Sequence, residues 1–156
     1  MKLAFAVFLI ILPMQAVALS CVSWTVKDAF ARASTSPETY LIVLGTLAFE
    51  QDAVPQTDWD NQHETPASTQ IPARFVGKYM GAEGFQDSFA VDLSLIVNCA
   101  GPWCPSPKSG LQQLAFMRQS ASGYQVITSA CSSMIFAQPS QDMMDQINRC
   151  FENKTC

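Results

Sequence analysis

Apolar and polar residues alternate in two distinct ways along this chain. Phe89-Ala-Val-Asp-Leu-Ser-Leu-Ile-Val97 places Phe89, Val91, Leu93, Leu95 and Val97 on one side, the period-two signature of a strand with one buried face. Ala73-Arg-Phe-Val-Gly-Lys-Tyr-Met80 alternates in the same way, setting Phe75, Gly77 and Tyr79 against Arg74, Val76 and Lys78. Tyr40-Leu-Ile-Val-Leu-Gly-Thr-Leu-Ala-Phe49 does not alternate; its unbroken apolar, β-branched composition predicts a strand covered on both faces in its middle. Gly45 inside that run predicts a bulge or a bend.

Gly110-Leu-Gln-Gln-Leu-Ala-Phe-Met117 and Tyr124-Gln-Val-Ile-Thr-Ser129, separated by Gln119-Ser-Ala-Ser-Gly123, predict a hairpin. Two helices flank the strands. Thr25-Val-Lys-Asp28 is a capping-box pattern, after which Val26, Ala29, Phe30 and Ala33 form one apolar face that ends at Ser34 to Pro37. Pro139-Ser-Gln-Asp142 opens a last helix through about Arg149, with Met143, Met144, Ile147 and Cys150 inward. Methionines at that spacing read as core filler.

Between the first two strands, residues 51–72 form a long polar loop of Asp, Gln, Thr, Ser and Pro, with Trp59 its isolated large aromatic. A connection of that length is either mobile or functional, so Trp59 is a candidate binding residue. Five strands, a bending glycine and two helices predict a mainly β fold: a five-stranded OB-like closed barrel with an N-terminal and a C-terminal helix.

The first residues predict export. Lys2, the apolar run Leu3 to Leu12, Pro13 and the small residues Ala16, Ala18 and Ser20 make residues 1–20 a signal peptide, too short in its apolar part for a spanning helix. Cleavage before Leu19 and cleavage before Cys21 both satisfy the small-residue rule. A lipobox would also end in a cysteine like Cys21 but carries Leu where Ala18 stands, so lipid anchoring at Cys21 is the lesser alternative to a secreted or periplasmic protein. Residues 21–156 then form a single domain.

All six cysteines follow the leader, an even number that implies a disulfide framework in an oxidising compartment. Cys99 and Cys104 enclose the turn sequence Ala-Gly-Pro-Trp, and Cys150 and Cys156 close a short C-terminal loop. That leaves Cys21 with Cys131. Four residues between Cys99 and Cys104, in a strand-to-turn setting, do not make the two-residue redox motif.

The formal charge is −4 with no basic cluster, which argues against nucleic acid. His63, the single histidine, lies in the acidic stretch Asp58-Trp-Asp-Asn-Gln-His-Glu64, whose spacing fits no zinc or calcium template. A nucleophilic dyad would have to pair it with a distant serine or cysteine that nothing in the sequence places beside it, so neither a metal, a cofactor nor an enzymatic site is expected. Asn153-Lys-Thr155 fits a glycosylation acceptor.

The layout resembles the netrin-like, or tissue-inhibitor-of-metalloproteinases-like (TIMP-like), OB-fold domains. The residues that carry the resemblance are the leading Cys21, a first strand with Leu44-Gly45-Thr46, a later strand ending Val97-Asn98-Cys99, and the closing Leu114-Ala-Phe116 with Tyr124-Gln-Val-Ile-Thr-Ser-Ala-Cys131-Ser132. Inhibitors of that family chelate the zinc of a target protease through the free amine and carbonyl of the mature N-terminal cysteine. The resemblance implies that role for Cys21, a specificity-pocket role for Val22, and a flanking ridge at Val97, Asn98 and Cys99. Ser23 stands where the inhibitors carry a second cysteine. The function expected first is therefore an exported, non-enzymatic protein-binding module, with metalloprotease inhibition through Cys21 as the alternative.

Overall fold

The computed structural model describes residues 21–156; the leader and both cleavage sites lie outside the described residues. The elements in order are α1 (Val26–Ser34), β1 (Thr39–Phe49), two single-turn 3-10 helices (Gln51–Ala53 and Gln62–Glu64), β2 (Ser68–Gly81), β3 (Gly84–Asn98), β4 (Gln112–Ser120), β5 (Gly123–Ser129), β6 (Ile135–Ala137) and α2 (Gln141–Asn153). The six strands form one sheet in the order β1-β2-β3-β5-β4-β6, and β1 also pairs with β4. Five strands therefore make a ring in which each has two hydrogen-bonded neighbours. All ring pairings are antiparallel except β3 with β5, which is parallel from Leu93↔Tyr124 to Asn98↔Ser129.

The ring encloses one apolar cluster and carries a second on its outside. Val43, Leu47, Ile71, Phe75, Leu93, Leu95, Val97, Met117 and Val126 fill the interior. Val26, Ala29, Phe30, Ile42, Leu114, Phe116, Phe136, Ile147 and Cys150 join the outer faces of β1 and β4 to the two helices. The continuous run of β1 follows from this: Val43 points in, Ile42 points out, and both are buried. Over most of their length β2 and β3 cover the interior only, so Phe75 is buried beside an exposed Val76, whereas Met80 near the end of β2 joins the outer cluster.

Gly45 carries no bulge. The β1–β2 register runs without a break from Val43↔Tyr79 to Phe49↔Ala73, and the shift in β2 falls between Lys78 and Met80 on the β3 side. Gly45 instead stands opposite Gly77, with the Phe75 ring laid over the pair. A Cβ on Gly45 would come within 2.5 Å of the Gly77 Cα and 2.7 Å of the Phe75 Cζ, so both glycines make room for one aromatic ring inside the sheet.

Three further expectations are corrected. The polar loop is shorter than 51–72, because β2 begins at Ser68; Pro72 is accommodated one residue before the first β2–β1 pair, where β2 has β3 alone as a partner. The β4–β5 hairpin keeps only the pairs Arg118↔Gln125, Gln119↔Tyr124 and Ser120↔Gly123 before β5 crosses to β3. Residues 133–137 fill the opening. Phe116 N donates to the Met134 carbonyl at 2.8 Å, and β6, which the alternation of so short a segment cannot show, pairs with Gln113–Ala115.

Both helices start as the sequence predicts. Thr25 Oγ1 accepts from Asp28 N at 3.4 Å while Thr25 N donates to the Asp28 carboxylate at 2.8 Å, a complete capping box. Ser140 caps α2, which runs past Arg149 to Asn153 and ends on Lys154 in the left-handed conformation. The three disulfides join Cys21 to Cys131, Cys99 to Cys104 and Cys150 to Cys156.

Candidate functional site

The residues nominated by the sequence meet at one end of the ring, where β1, β3 and β5 finish. Cys21 is bonded to Cys131, just past the end of β5. Ser129, two residues earlier, is paired with Asn98 at the end of β3. Cys99 N donates to the Ala67 carbonyl at 3.0 Å, and the Thr57 hydroxyl donates to the Pro102 carbonyl. The N-terminal segment, the ridge and the polar loop are thus sewn together by one disulfide, one strand pairing and two hydrogen bonds.

Local chemistry fixes each piece. In Cys99–Cys104, Ala100 N donates to the Trp103 carbonyl at 2.8 Å and Trp103 N to the Ala100 carbonyl at 3.2 Å, a turn in which Gly101 takes φ +60°. The polar loop is anchored by Val54, buried among the interior residues, and its far part is organised by Asp58. The Asp58 carboxylate accepts from Asp60 N, Asn61 N and Asn61 Nδ2 at 2.9 to 3.1 Å; the Asn61 side chain first, then the two amides, hold its pKa below the usual 3.8.

The polypeptide beside Cys131 forms a serine-lined turn. Ser129 Oγ donates to the Ser132 carbonyl at 2.6 Å, and Ser132 N donates back to Ser129 Oγ at 3.2 Å. A cavity of about 420 Å³ lies between α1, β1 and the end of α2, lined by Phe30, Ile42, Met80 and Phe151 with Lys154. The hollow next to the stapled end, about 210 Å³, is lined by Trp24, Asn98, Ser129 and Ser132, with Glu38 and Arg118 at its far side. Arg118 donates to Glu38 at 2.9 Å and to Gln125 Oε1 at 3.1 Å, so its charge is compensated. Tyr40 beside them has its phenol pushed up, by burial first and by the Glu38 carboxylate second.

The nominated residues differ in what they present. Val22 is 85% exposed and Trp59 61%. Val97 faces the ring interior with no exposed surface and lies between Thr69 of β2 and Thr128 of β5, so this ridge residue is core and presents nothing to a partner. Asn98 is half-buried; Cys99 is bonded to Cys104. Trp103, 44% exposed at the tip of its disulfide loop, is a surface aromatic that the sequence reading passed over; a tryptophan in a Gly-Pro turn between cysteines was the signal available.

His63 lies exposed in the second 3-10 helix. Among the described residues, no group of three or more His, Cys, Asp or Glu side chains is placed to hold a metal ion. Nor is any helix of the described residues long and apolar enough to cross a membrane. No family model, curated protein or solved structure matches this chain.

Proposed function

We propose that this chain is an exported, non-enzymatic binding module of OB type that engages a protein partner through the stapled end of its ring. The observation that carries the reading is the position of the exposed apolar side chains. Of the four large hydrophobic residues most exposed among those described, Val22, Trp59 and Trp103 lie on the segments sewn together at that end, and Val76 alone lies on a strand. Rigidly held aromatics lose little conformational entropy on contact and dominate protein interfaces. The ring order β1-β2-β3-β5-β4-β1 supports an OB-type barrel, and three disulfides suit an oxidising compartment.

The test is a photo-crosslinking amino acid placed at Trp59 or Trp103 in the native host. A discrete protein adduct from these positions, absent when the group is at exposed Asp142 on α2, supports the reading; equal labelling from all three positions overturns it.

Metalloprotease inhibition is a second reading, favoured by the bonding of Cys21 beside the Asn98–Ser129 pair with Val22 projecting into solvent. It requires cleavage immediately before Cys21, since any preceding residue ties up the chelating amine. N-terminal sequencing of the exported protein decides the prerequisite: Cys21 keeps inhibition open, Leu19 ends it, and an acylated Cys21 identifies a lipid anchor. Assay of the Cys21 form against zinc endopeptidases then tests the activity itself.

A further inference from the structure

The two long strands of the ring extend beyond it, and the far half of β3 is paired on one side only. β2 follows β3 from Gly84 to Asn98, whereas β5 joins β3 only from Leu93↔Tyr124 onward. Gly84 to Val91 therefore hydrogen-bonds to β2 alone, and no side chain donates to or accepts from its main chain. In an antiparallel pair every second residue turns both its N–H and its C=O away from the partner, so this stretch presents a row of free backbone groups. That row lies at the opposite end of β3 from the disulfide-stapled surface.

The side chains beside the edge say what it would hold. Phe89 is half-buried, its ring 5.6 Å from Tyr124 and 6.1 Å from both Tyr79 and Phe75. An aromatic shelf thus begins where β5 begins, in line with the vacant strand position. The stretch carries Asp87 and no cation; Asp92, which follows it, is paired with Arg74 at 2.7 Å. Asp87 lies close enough to the Tyr79 hydroxyl to raise its pKa. Free backbone groups require an extended chain as occupant, the shelf requires an apolar side chain, and the Asp87 carboxylate favours Lys or Arg.

We propose that the free edge of β3, Gly84 to Val91, is a strand-acceptor site for an extended peptide segment of a partner protein, its apolar side chain seated on Phe89 and Tyr124 and a basic residue beside it facing Asp87. The incoming strand occupies the line of β5 extended past Gly123, where the chain itself turns away into the β4–β5 turn. The site is independent of the stapled end.

The test uses the disulfide-bonded protein and a displayed library of random peptides. Recovered sequences are expected to alternate apolar with other residues and to carry Lys or Arg. In the best of them, N-methylation of alternate backbone amides weakens binding about tenfold per position, the equivalent of one hydrogen bond, and N-methylation in the other register has little effect. Ser88→Lys with Ala90→Lys, both at exposed positions, reduces binding by about tenfold or more through edge charge, with the melting temperature unchanged. Failure to recover any peptide overturns the proposal, as does recovery of peptides indifferent to both the methylation register and the double substitution. A dimer in sedimentation that the same double substitution dissolves also overturns it, because a second copy then owns the edge.

Discussion

The inside of the ring and the layer between the ring and its helices are both apolar, yet they are held by different means. The interior draws on all five ring strands and on Val54 from the loop, so it exists only when the ring is closed, and no disulfide lies within it. The outer layer draws on β1, β4, β6, Met80 of β2 and two helices; α1 is tied through Cys21 just before it to the end of β5, whereas Cys150 bonds α2 only to the tail that follows it. A helix of nine residues has little intrinsic stability, so its apolar face must be delivered to the sheet by something else. Closure holds one core; covalent tethering helps to hold the other.

Removing the longest tether should separate the two most sharply. Replacing Cys21 and Cys131 together by Ser opens a closure of 110 residues, and the chain-entropy model gives a loss of about 4 to 5 kcal/mol. In hydrogen exchange, amides of α1 should lose protection before those of β1 to β3; simultaneous loss everywhere would show that the two cores are one cooperative unit.

Gly45→Ala attacks the ring instead. Its new methyl meets the backbone of β2 and the Phe75 ring, and the expected loss in urea unfolding is about 3 kcal/mol, the upper end of overpacking costs. An unchanged midpoint would show that the Gly45–Gly77 contact relaxes freely. Opening Cys150–Cys156 by double replacement with Ser should cost about 2 kcal/mol, because its loop spans only six residues of separation, and should affect α2 alone.

Ile147→Val removes one methyl from the outer layer and should cost about 1 kcal/mol by thermal or urea unfolding. The smallest effect concerns the α1 cap. The hydroxyl of Thr25, then its amide, lower the Asp28 pKa from 3.8, so the carboxylate stabilises the folded state above that value and the contribution is lost as pH falls through the depressed folded-state pKa. α1 helicity followed by NMR between pH 6 and pH 2 should show the loss, and Asp28→Asn should abolish the pH dependence.

The same division explains which parts of the molecule were legible in the residues. Local rules identified the Thr25 capping box, the two-sided β1, the alternating halves of β2 and β3, and the short disulfides, because each depends on neighbours a few residues away. They failed where a segment depends on a distant partner. Ser68 to Pro72 is strand because β3 lies beside it, although Thr, Ser and Pro there read as loop. β6 forms in the opening left when β5 leaves β4. Trp59 and Trp103, far apart in sequence, ride on loops joined through Thr57 and Pro102.

By itself, then, the sequence determined the secondary-structure periods, the cysteine partners that spacing allows, and a net negative charge. Tertiary structure alone decided that Gly45 faces Gly77, that the polar loop stoppers the ring through Val54, that Val97 is core, and that β3 outruns β5. The physical reason is that hydrophobic period and capping act within a turn or two of chain, whereas closure of a ring fixes register between residues tens of positions apart. Only that register determines which side chains are enclosed and which backbone edge is left without a neighbour.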